Sequence, residues 1–179
     1  MPWSSRLALC CLLVIFLLPG RTIAGELKTL YATVRYDNDD LLRHFNQELY
    51  LPNRLQLKMR NWPSDTLADE VTNKINLLVD QVQAVMDMHP DRLKFTIVLL
   101  ASPEAVQEVF LQKYGKEVDH LAYYSLSEKT IYFSVDNASL NVVAHEIGHV
   151  VVDHYYKVHT PYNIHELMAQ FAEKNIAAP

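Results

Sequence analysis

The run Val142 to Tyr156, VVAHEIGHVVVDHYY, is apolar enough to be buried around most of a helix, yet it holds three histidines and two acidic residues. Such a segment can lie in a protein interior only if those groups find partners there, because an unpaired buried polar group costs roughly 2 kcal/mol or more. It therefore marks the core of the fold and demands particular chemistry at its centre.

Within it, His145-Glu146-Ile147-Gly148-His149 forms an H-E-x-x-H sequence. A four-residue step is slightly more than one helical turn, so both imidazoles project from one face and can bind a single Zn²⁺. Glu146 lies beside them, within reach of a water at the ion. With eight histidines and ten glutamates in 179 residues, the pattern arises by chance in roughly one such sequence in fifty. Gly148 costs a helix interior about 1 kcal/mol relative to Ala, a defect that makes sense if something approaches closely there. Catalytic zinc usually has three protein ligands and one open position. Asp153 and His154 lie a turn or more beyond the pair on the same straight helix, so the third ligand is expected from another element. Glu166 in HELMAQFAEKN, on a second predicted helix, is the candidate.

These residues resemble the gluzincin branch of the zincin metallopeptidases of the MA clan, in which H-E-x-x-H precedes a helix of the form N-E-G-x-A-E. His165-Glu166-Leu167-Met168-Ala169-Gln170 occupies that place, with His165 for Asn, Leu167 for Gly and Gln170 for the second acidic residue. The metzincin pattern fails, because Val152 and Tyr155 stand where its Gly and third His belong. The resemblance covers about Thr130 to Asn175. It implies a zincin-like fold, Zn²⁺ held by His145, His149 and Glu166, and Glu146 as general base in hydrolysis of a peptide or protein substrate. It also implies an oxyanion-stabilising side chain, for which His165, Tyr162 and Tyr156 are candidates. An extended peptide would lie along an edge strand formed by Thr130, Ile131, Tyr132, Phe133, Ser134 and Val135. A reading from another class is a catalytically silent zincin-like binding module. Retention of both Glu146 and a third ligand favours the enzyme.

Upstream, Arg6, the apolar run Leu7 to Leu18, Pro19-Gly20 and Ala24 form a secretory signal pattern with cleavage expected after Ala24. Export to the periplasm or outside the cell follows, with an uncleaved N-terminal membrane anchor as the alternative; twelve apolar residues are short of the about 20 needed to span a bilayer. Cys10 and Cys11 both fall in this segment, so one domain over residues 25–179 must be stabilised by its core rather than by disulfides. That domain carries fourteen basic against twenty-one acidic residues, a formal charge of −7, which argues against nucleic acid or an anionic membrane as partner. The pattern predicts α+β architecture. Strands are expected over 29–36, 54–59 and 93–100, with a hairpin over 122–135. Helices are expected over 37–49, from 65 to 89, from 103 to 115, from a cap at Asp136-Asn137 to about 157, and after Pro161. His44, His89, His120 and His159 are assigned to the surface or to helix ends.

Overall fold

The computed structural model describes residues 25–158 and 160–177; the expected signal segment and His159 lie outside them. Among the described residues, five strands form one mixed sheet in the order β1-β2-β3-β5-β4. They are β1 (Gly25–Lys28), β2 (Ala32–Tyr36), β3 (Phe95–Leu100), β4 (Ala122–Ser125) and β5 (Thr130–Ser134). Strands β2, β3 and β5 run parallel, and β1 and β4 are antiparallel edges. Among the described residues, six α-helices accompany them: α1 (Asp39–Glu48), α2 (Asn53–Lys58), α3 (Leu67–Met86), α4 (Pro103–Tyr114), α5 (Leu140–Tyr155) and α6 (Tyr162–Asn175). The α+β expectation holds at that level.

Side-chain alternation along the strands assigns each face. Val34, Ile97, Ile131 and Phe133 join Phe45 of α1, Ile75 and Leu78 of α3, and Ile147 and Val151 of α5 in the principal core. The intervening residues Leu100, Tyr123 and Tyr132 meet Val106 of α4 on the opposite face. Strand β3 is covered on both sides, which explains its nearly unbroken apolar sequence. Helix starts follow local chemistry. Thr66 and Asp69 form a reciprocal capping box for α3, Ser102 caps α4 with Pro103 behind it, and α4 ends at Gly115 with φ 65°.

Several expectations are corrected. Residues 54–58 are helical and Met59 is the C-cap; Leu55 is the one fully buried side chain of α2 while Leu57 remains 64% exposed, so the alternation has no buried face to support a strand. The run 29–36 is broken by a turn in which the Thr29 hydroxyl accepts from the amides of Tyr31 and Ala32, leaving β1 to pair with β2. Asp136 and Asn137 lie in a short 3₁₀ turn, and it is Ser139 that caps α5. Most consequentially, Thr130 to Ser134 is no edge strand. It is hydrogen-bonded to β3 on one side and β4 on the other and is buried at all five positions, while Val135 belongs to the 3₁₀ turn. The edge beside α5 is β4, because the hairpin folds its first strand outward.

Candidate metal centre

Helix α5 is buried on most of its surface, with Val143, Ala144, Ile147, Val150 and Val151 fully enclosed. Its remaining arc presents His145 and His149 to α6. The two helices approach closely because residue 148 has no side chain: a methyl group there would stand 2.9 Å from the Ala169 Cα and 3.3 Å from the Ala172 Cβ. The close approach expected at Gly148 is made by this helix. It brings Glu166, one turn before Ala169, over the two imidazoles.

His149 Nε2 lies 3.4 Å from Glu166 Oε1, and His145 Nε2 lies 3.7 Å from Glu166 Oε2. One donor atom from each residue falls within 4.8 Å of the others. Donors about 2.05 Å from a tetrahedral zinc ion stand about 3.3 Å apart, so the set matches the size of such a site. Burial lowers the pKa of His149 to about 3, with the neighbouring His145 and His165 adding to the effect. That ring is neutral and free to donate a lone pair. On the far side of His145, Nδ1 is 3.0 Å from Glu173 Oε2, a contact that fixes the tautomer and directs Nε2 toward Glu166. Glu173 was not anticipated. Its signal is positional, since it follows Glu166 by seven residues and shares its helix face.

Glu146 projects from α5 toward β4 and is 6% exposed. Burial first, then the nearby Glu166 charge, raises its pKa to about 8, while a hydrogen bond from the Tyr124 backbone amide opposes the rise. Among the described residues, Glu146 Oε2 is buried without a hydrogen-bond partner. A buried carboxylate oxygen in that condition beside three metal-type donors fits a site built around a cation and its water.

These groups line a cleft of about 720 Å³. His145, Glu146, His149, His165, Tyr162 and Glu166 all border it. His165 is buried with its ring 5.8 Å from that of His149. Tyr162 is exposed, its hydroxyl engaged with Glu166, and burial together with that carboxylate raises its pKa. Tyr156 is not among the lining residues; it packs against Tyr155 at the end of α5. His120, assigned to the surface from sequence, borders the cleft with Phe110, Tyr114 and Tyr123. Nothing local in the sequence marks it, because its position depends on how α4 crosses the sheet. Beneath the site, the Tyr124 hydroxyl donates to Asp153 at 2.6 Å and Lys129 pairs with the same carboxylate, tying the β4–β5 hairpin to α5.

No family model matches the chain, and neither does any curated protein or solved structure.

Proposed function

We propose that this chain is a zinc-dependent peptidase of the gluzincin kind, in which a zincin-like grouping of edge strand, H-E-x-x-H helix and ligand helix acts on extended peptides. The observation that supports it best is the meeting of a two-histidine, one-carboxylate donor set of tetrahedral dimensions with a buried carboxylate that lacks a partner. His145, His149 and Glu166 would hold a zinc ion, which would supply Lewis acidity, lowering the pKa of a water toward ~7 and polarising a carbonyl.

The chain's own groups do the rest. With a cation held there, Glu146 and Glu166 would be relieved of their mutual repulsion and Glu146 would take its ionised, basic form. The Tyr124 amide orients that carboxylate, which takes the proton of the attacking water and returns it to the departing amine. Charge developing on the carbonyl oxygen is assigned to Tyr162 or His165, which border the cleft. The substrate strand is assigned to β4 rather than β5, since β5 has no unpaired edge. Export is proposed from the N-terminal pattern alone. Among the described residues no helix is long and apolar enough to cross a membrane.

Elemental analysis of purified protein should return one zinc per chain, and the zinc-loaded protein should cleave an unfolded protein substrate in a chelator-sensitive manner. Zinc bound at one per chain without cleavage of diverse unfolded substrates would replace the peptidase by a silent binding module. Absence of zinc binding would reject the peptidase and leave a binding module that uses the bare fold.

A further inference from the structure

The cleft has a second half. Its pairing with β5 divides the backbone groups of β4 into two sets. The Leu121 carbonyl accepts from Ser134 and so faces β5. Alternation in an antiparallel pair then directs the amides and carbonyls of Ala122 and Tyr124 away from β5, and the Tyr124 amide is indeed found at Glu146. A peptide added along this edge lies with one residue opposite Tyr124, at the level of the base. That residue shares the sheet face of Tyr124, whose side chain reaches Asp153 of α5. Its neighbours must point to the other face, where Tyr123 and Ser125 point.

On that face the same cleft is bordered by Phe110 and Tyr114 from α4, by His120 and by Tyr123. The rings form a connected set. Phe110 meets Tyr123 edge-on at 5.0 Å and His120 at 5.2 Å, and Tyr114 is 4.6 Å from Phe110. The Tyr114 hydroxyl lies 2.8 Å from Ser125 Oγ, which holds it against the strand. Lys113, beside Tyr114 in the chain, is paired with Glu128 at 2.5 Å, and this half of the cleft is lined by rings and small polar side chains.

We infer that the lobe lined by Phe110, Tyr114, His120 and Tyr123 is a side-chain pocket that selects a large aromatic residue of a peptide bound along β4, adjacent to the residue opposite Tyr124. This rests on the peptidase reading for the peptide's presence on the edge. The choice of an aromatic side chain follows from the ring lining, since aromatic pairs gain from edge-to-face contact beyond simple burial. Differences of side-chain size in an apolar pocket commonly discriminate by about 10-fold to 200-fold.

The test uses zinc-loaded Glu146→Gln protein, which leaves peptides intact, and labelled alanine heptapeptides with one phenylalanine moved along the chain, followed by fluorescence anisotropy. One position should favour Phe over Ala by about 10-fold or more in Kd. Adding Tyr114→Ala, a change at a 43% exposed residue, should reduce that preference below about 3-fold, and Phe110→Leu should reduce it in part. No phenylalanine preference at any position, no binding by any peptide, or a preference unchanged by both variants would overturn the pocket. Cleavage by zinc-loaded wild type is scored separately. Hydrolysis without an aromatic preference removes the pocket and leaves the peptidase, whereas aromatic-selective binding without hydrolysis removes the peptidase and leaves the pocket.

Discussion

Glu146 and His149 sit in one buried centre and are pushed in opposite directions, the acid up to about 8 and the imidazole down to about 3. Both shifts favour the uncharged form, and they act on metal-free stability in different pH windows. Glu146 binds its proton more tightly folded than unfolded, so its contribution is full below about 4.5 and is lost as pH rises toward about 8. His149 does the reverse: its contribution is present above about 6.5 and is lost as pH falls toward about 3. The metal-free Glu146→Gln variant lacks the first loss. Its melting temperature should therefore gain on that of metal-free wild type between pH 5 and pH 8; a constant difference across that range would contradict the assignment. Zinc-loaded, the same variant should keep its metal and fold and lose about 10² to 10⁴ in hydrolysis rate, because an amide cannot accept the proton. Glu173 acts through His145. Glu173→Gln should weaken zinc binding by about 10-fold to 100-fold, measured by competition with a chelator, while Glu166→Ala should weaken it much further. If Glu173→Gln left zinc affinity unchanged, the 3.0 Å contact would have no orienting role.

Among the elements, the α5–α6 pair was the most legible from sequence, since the mid-helix glycine called for a close approach, the histidine pair for a ligand from another element, and Glu166 lay on a predicted helix after a short loop. Gly148→Ala tests the pair. Better helix propensity favours alanine by about 1 kcal/mol, but its methyl group would meet the Ala169 backbone at 2.9 Å, and overpacking of this kind typically costs about 1–3 kcal/mol. The expected outcome is a lower melting temperature together with weaker zinc binding, as Glu166 is carried outward. Unchanged zinc affinity would mean that the helix gap does not set the site. Where sequence reading failed, the missing information was non-local. The aromatic alternation of residues 130–134 announces a strand but not its neighbours, and only the hairpin's outward fold reveals that β4 holds the edge. The alternation at 54–59 looked like a strand because periodicity cannot tell a half-buried strand from a helix with one inward leucine.

At the scale of the molecule, the proposed metal joins two helices contributed by one stretch of chain, and the remaining ligand-free fold rests on a continuous core of α1, α3, α5 and the sheet. Zinc should therefore stabilise rather than create the fold. At a free zinc concentration 1,000 times Kd, mass action adds about 4 kcal/mol, visible as a rise in melting temperature that a chelator reverses. Collapse of the metal-free protein to an unfolded spectrum would show instead that metal and fold are inseparable. The aromatic lobe was least legible of all, since Phe110, Tyr114, His120 and Tyr123 come together only when α4 is laid across the back of the sheet.

The grip on Glu146 comes from the backbone amide of Tyr124 and not from its side chain. Every amino acid except proline supplies that donor, so substitution at 123 and 125, with the Tyr124 tie to Asp153 kept, leaves the hold on the base intact. Side chains at 123 and 125 can then be exchanged to alter which peptides the edge accepts, with the reactive centre undisturbed. A strand of this kind is a natural starting point for directed evolution of specificity, and the proline variant at 124 is the single replacement there that removes the amide outright.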